Sequence, residues 1–85
     1  MLNRKEIESK IIQIFRDEFE IENPLPDEAL REVYGFDSID AIELLAEIEE
    51  FLGSSLTHDE KKQAMEIRTL DQIFNYVERM AATRN

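Results

Sequence analysis

Ser38 is the residue best placed for covalent chemistry. It stands in Gly35-Phe36-Asp37-Ser38-Ile39-Asp40, where a glycine-bearing loop runs into a helical pattern. A serine at a helix start is ordinarily a cap whose oxygen accepts a bond from a free amide. The same position also suits a phosphate ester, because free amides and the positive end of the helix dipole favour an anion there. Other chemistry is poorly provided for. The chain has no cysteine, which excludes a disulfide framework and a thiolate metal site, so any thiol must come from an attached group. His58 is the sole histidine, and no serine or cysteine lies at a spacing that implies a pair. Glu43 and Glu47, one helical turn apart, could hold a divalent cation loosely, but no cage-like loop accompanies them. No EF-hand, P-loop or dinucleotide pattern occurs. Neither a metal site nor an enzyme with its own catalytic groups is expected.

The elements that must position Ser38 read as helices. Ile7, Ile11, Ile14, Phe15 and Phe19 make one apolar stripe, and Asn3 with Glu6 forms a candidate capping box before it. Asn23-Pro24-Leu25-Pro26 ends that helix, and a short helical turn is expected near residues 27–33. A second long helix runs from Ser38 to Leu52, capped by Asp37 or Ser38, with Gly35 allowing a tight approach and Gly53 ending it. Thr57 and Glu60 open a shorter helix that reaches Met65 or Glu66. The last helix starts after Thr69, with Gln72 in the box position and Leu70, Ile73, Phe74, Val77 and Met80 as its stripe. The 85 residues make one domain, 1–85: an all-α, small antiparallel four-helix bundle with three longer helices and a short third one.

Charge is concentrated around the serine. The net charge is −10; from Glu32 to Glu60 there are nine acids and no lysine or arginine, while the rest of the chain is nearly balanced. Such a field repels nucleic acid and attracts basic partners. The Ser38 helix also has one apolar stripe too many. Leu44, Ile48 and Phe51, flanked by Ala41, Leu45 and Leu52, suffice for the core. Ile39, Ile42 and Ala46 form a second stripe, ringed by Asp40, Glu43, Glu47, Glu49 and Glu50. An apolar centre with a charged rim is the pattern of a docking patch, whereas burial of that stripe by the bundle or the preceding loop would make it plain core. No apolar run is long enough to span a membrane, and the start lacks a signal-peptide stretch, so a cytoplasmic protein is expected; it is also expected to be a monomer.

The segment from Gly35 to Leu44 resembles the attachment motif of acyl carrier proteins, Gly-x-Asp-Ser-Leu followed by an acidic helix, and the resemblance extends over nearly the whole chain. It implies a 4'-phosphopantetheine arm, moved from coenzyme A onto Ser38 by a phosphopantetheinyl transferase, whose thiol carries acyl groups as thioesters. It implies that Asp37 serves the transferase and the arm. Ile39, Asp40, Ile42, Glu43, Ala46, Glu47, Glu49 and Glu50 would meet acyl-transferring and acyl-modifying enzymes through basic patches on those partners. Leu45, Ile48, Ile67 and Leu70 are the candidates to line an acyl space, with core packing as the alternative.

The chain departs from the family pattern in several places. Ile39 replaces leucine, Tyr34 and Phe36 bring aromatics to the attachment loop, and Ala46 replaces a common methionine. The loop after the first helix is short, and the stretch from Leu56 to Leu70 is long. These departures point to a specialised carrier for fatty-acid, polyketide or related synthesis. Tyr34 and Phe36 are expected to pin the loop to the bundle. Two alternatives stay open: an aminoacyl, peptidyl or D-alanyl carrier, and an unmodified acidic adaptor in which Ser38 is only a cap.

Overall fold

The computed structural model describes residues 2–84, and among them five helices occur and no strand. They are α1 (Arg4–Phe19), α2 (Leu30–Tyr34), α3 (Ser38–Leu52), α4 (His58–Ala64) and α5 (Leu70–Thr83). The fold is the expected small helical bundle, with the anticipated loop turn realised as α2. That turn begins at Leu30, later than the expected 27, because Pro26-Asp27-Glu28 form a bend held by the Glu28 amide on the Leu25 carbonyl.

α1 follows its apolar stripe. Ile7, Ile11, Ile14 and Phe15 are buried, and the Asn3 side chain accepts the Glu6 amide at 2.8 Å. Only that half of the expected box forms; the Glu6 carboxylate makes no return bond to the Asn3 amide among the described residues. α1 packs chiefly on α5 and also on α3. It runs antiparallel to α3. Phe15 and Phe19 at its end meet Phe36, which precedes α3, while Phe51 near the end of α3 lies beside the first turns of α1. Arg4 clamps α1 to α5: it donates to Asn75 at 2.7 Å and Glu78 at 3.2 Å, and its guanidinium lies 5.5 Å from the Phe74 ring centre.

The boxes expected at Thr57 with Glu60 and at Thr69 with Gln72 both close reciprocally. They set the starts of α4 and α5. α5 carries the densest buried face, including Leu70, Ile73, Phe74, Val77 and Met80. It also buries Tyr76, which lies just off the expected stripe. α4 contrasts with it, since none of its residues is buried. Fully burying one leucine or isoleucine contributes about 1.5–3 kcal/mol. α3 is anchored that way by Leu44 and Ile48, whereas α4 depends on its rims.

Candidate functional site

The approach to Ser38 is built by a reversal at Gly35. Its φ of 70° is left-handed, a conformation glycine adopts without steric cost. The Gly35 amide donates to the Arg31 carbonyl at 3.1 Å and the Phe36 amide to the Leu30 carbonyl at 3.2 Å, closing α2. A tight approach is not the reason for this glycine, because a Cβ there would meet nothing within 4 Å. The turn sends Phe36 back onto the bundle, 5.3 Å from the rings of both Phe15 and Phe19. Tyr34 pins the other side, its hydroxyl oxygen accepting the Leu25 amide at 2.9 Å. Both aromatics hold the loop, as expected, and Phe36 also lines the cleft described below.

Asp37, not Ser38, caps α3. Its Oδ1 accepts the Ile39 amide at 3.0 Å and the Asp40 amide at 2.9 Å, and Asp40 returns a bond to the Asp37 amide at 3.2 Å. Ser38 is thereby left at the first helical position. It is exposed, and its hydroxyl makes no hydrogen bond to any described residue. A capping serine would have its oxygen engaged; this one is free to be esterified. These features fit a phosphate-linked group: an accessible hydroxyl, the positive end of a helix of 15 residues, and a cleft opening alongside.

The second stripe of α3 is on the surface. Ile39 is 74% and Ile42 70% exposed, which rules out burial by the bundle or the loop. Ala46, Glu43 and Glu50 are exposed on the same side. The other acids are partly engaged. Asp40 completes the capping box. Glu47 turns toward α1, where burial and then the neighbouring Glu18 push its carboxyl above the ordinary range. Glu49 turns toward α4, accepting the Leu56 amide at 2.7 Å with the Lys61 ammonium 4.0 Å away. The exposed patch is therefore centred on Ile39, Ile42, Glu43, Ala46 and Glu50, with Glu47 and Glu49 as its two edges.

Beside Ser38 a cleft of about 1070 Å³ opens between α3 and α4. Leu45, Ile48 and Ile67 line it, together with Ala64, Ile73 and Tyr76. Leu70 does not: it is fully buried among core residues, at the first position of α5 and turned into the bundle. The mouth is closed on one side by backbone pairing that sequence reasoning missed. The Leu30 amide donates to the Arg68 carbonyl at 2.9 Å and the Asp71 amide to the Pro26 carbonyl at 3.0 Å, tying α2 and the loop before it to the start of α5 and the segment before that.

The α4 wall is held by a polar network at its start. The Tyr76 hydroxyl donates to the Glu60 carbonyl at 2.6 Å. Burial, with the nearby Glu60 charge, pushes that phenol up to about 12, so it remains a donor across the neutral range. Arg84 donates to both Glu60 carboxylate oxygens, at 2.8 and 3.1 Å, and to the Ser55 carbonyl at 3.0 Å. The Arg84 hydrogen bonds and the Thr57 amide hold the Glu60 carboxyl down at about 2. A Tyr one turn after Ile73 is the one local signal for this network; nothing near Glu60 announces Arg84. His58 is exposed at the cleft edge. Among the described residues no group of three or more metal-ligating side chains gathers, and none is formed around Glu43 and Glu47. No helix of the described residues is long and apolar enough to cross a membrane.

Residues 9–77 match the protein family described as "Phosphopantetheine attachment site". No curated protein matches the chain.

Proposed function

The chain belongs to the phosphopantetheine-attachment family, and from that premise we propose that Ser38 is its attachment serine and that its cargo is an acyl group. A family member of this kind is a carrier, not a catalyst, and 4'-phosphopantetheine is bound to it covalently. When attached, the arm supplies a terminal thiol that holds cargo as a thioester. The rest of the work falls to the chain's own residues. Asp37 fixes the start of α3 by taking the free amides, which leaves the Ser38 hydroxyl unengaged and outward. Its role toward the arm is positional. Gly35, Phe36 and Tyr34 hold the loop so that a transferase meets a rigid target.

The observation that carries the reading is the free Ser38 hydroxyl between an exposed apolar patch and an apolar cleft. Ile39, Ile42 and Ala46 offer contact at the centre of the patch; Asp40, Glu43, Glu47, Glu49 and Glu50 steer basic partner surfaces at its rim. Those partners are the transferase and acyl-handling enzymes, in a single carrier domain that acts as a monomer in the cytoplasm. Leu45, Ile48 and Ile67 supply the apolar lining for cargo. Fatty-acid, polyketide or related synthesis is the setting, and the substitutions at Tyr34, Phe36, Ile39 and Ala46 favour a specialised carrier.

Intact mass after incubation with coenzyme A and a broad-specificity transferase tests this directly. The wild-type chain gains one arm and Ser38→Ala gains none. No gain, or a gain that survives in Ser38→Ala, would sink it. Loading assays with acyl-activating against amino-acid-activating enzymes then decide the cargo class.

A further inference from the structure

The cleft beside Ser38 has an unexpected rim. The chain is strongly acidic, and its segment from Glu32 to Glu60 contains no lysine or arginine, yet Arg31, Lys61, Lys62 and Arg68 all line this one cleft. Four of the chain's ten lysines and arginines thus meet around an apolar floor. We propose that the cleft takes an acyl cargo whose far end carries a carboxylate. This rests on the carrier reading above and names its cargo.

The three acids that share the cleft, Glu32, Asp37 and Glu49, are outnumbered by its four cations and offset only part of their charge. Asp37 is committed to the amides of α3. Glu49 accepts the Leu56 amide and touches only Lys61, at 4.0 Å. Glu32 is exposed on α2 and makes no ion pair among the described residues. Arg31 and Lys62 have no hydrogen-bond or ion-pair partner among the described residues, and Arg68 uses one guanidinium nitrogen on the Met65 and Ile67 carbonyls. Positive charge therefore remains for an incoming anion.

Position separates two possible anions. Arg68 is tied to α2 through the Leu30 amide, and α2 leads within a few residues to Ser38. Arg31 and Arg68 therefore mark the end of the cleft near the attachment point. Lys61 faces Glu49, eleven residues along α3 from Ser38, which is roughly 16 Å at 1.5 Å per residue. Lys61 and Lys62 thus stand at the distal part, beyond Leu45 and Ile48. Chain methylenes would lie on that apolar floor and the terminal carboxylate would reach the two ammonium groups. A methyl-ended tail would need hydrocarbon at that end, and a cargo with a free ammonium would be repelled. A neutral polar end would accept hydrogen bonds from the same ammonium groups but would leave their charge unmatched, and the Tyr76 hydroxyl is already engaged with Glu60.

The test uses the arm-bearing protein, its modification checked by mass, loaded with two thioesters of equal length, one ending in methyl and one in carboxylate. Thioester hydrolysis and the amide shifts of Ala64 and Ile67 are followed. Exposed cations each contribute modestly, so two together should slow hydrolysis of the carboxylate cargo on the order of fivefold relative to the methyl one. Lys61→Gln with Lys62→Gln should abolish that difference, and high salt should shrink it. Both positions are exposed, and circular dichroism of the double variant checks that its helices are kept. Equal protection of the two cargoes, or a difference that survives in the double variant, overturns the proposal. So does an amide shift of the same size when the arm alone is added, because the anion would then be the arm's own phosphate. A chain that gains no arm at all fails earlier, at the carrier reading, and the mass check reports that separately.

Discussion

Replacing Asp37 is the sharpest probe of how the site is built. One carboxylate oxygen, Oδ1, accepts two amides, those of Ile39 and Asp40, at 3.0 and 2.9 Å. Alanine leaves both without a protein partner at the start of α3. Loss of such a cap costs about 1 kcal/mol, which for a domain of this size lowers Tm by roughly 4–8 °C. Asparagine keeps an acceptor oxygen in place and gives up only the charge near the helix dipole, a difference of about 0.3–1 kcal/mol at most. Asp37→Asn should therefore fall between wild type and Asp37→Ala in urea or thermal unfolding followed by circular dichroism. The same pair reads the site. If Asp37 acts by holding the helix start, Asp37→Asn should still accept the arm at Ser38 within a few-fold of the wild-type rate, measured by intact mass over time. Two results would refute the reasoning. Asparagine as destabilising as alanine would mean that the two short bonds do not hold α3. A stable Asp37→Asn that is not modified would mean that the carboxylate is read directly by the transferase.

Two further expectations concern the α4 wall. The Glu60 carboxyl titrates at about 2 in the folded chain against 4.5 without its partners, chiefly through the Arg84 hydrogen bonds. Its contribution to stability is thus complete above pH 4.5 and is lost as pH falls from there toward 2. Urea midpoints measured across that window should fall less steeply in Arg84→Gln than in wild type; identical slopes would contradict the pairing. Tyr76→Phe keeps the packing and removes the donor to the Glu60 carbonyl, a loss of about 1 kcal/mol. Hydrogen exchange should rise in α4 more than in α1 or α5, because α4 has no buried side chain to hold it; a uniform rise across the bundle would speak against a local latch.

Much of this protein was legible from residue order because its signals are local. The start of α3 and its Gly53 end, the boxes at Thr57 and Thr69, and the apolar stripe of α1 all rest on contacts within four residues or on helical periodicity. The motif around Ser38 is local too, and the family it suggested is the one that residues 9–77 match. Whether Ile39 and Ile42 were core or surface could not be read that way. Both fates use the same spacing, and only the packing of α1, α4 and α5 leaves that face bare.

The tertiary structure alone decided the remainder. Leu70 and Ile67 have similar chemistry and sit three residues apart, yet one is sealed in the core and the other lines the cleft, because the Arg68–Leu30 and Asp71–Pro26 backbone bonds turn the chain between them. Residue order placed Asp37 and Ser38 equally well as caps; the geometry of the turn after Gly35 gave the amides to Asp37 and left the serine oxygen free. The cationic rim is also a product of folding. Arg31 lies just before the stretch without lysine or arginine and Lys61 just after it, so along the chain they bracket an acidic segment. Only the closing of α4 over α3 brings them to one cleft, where charges distant in sequence act on the same small volume.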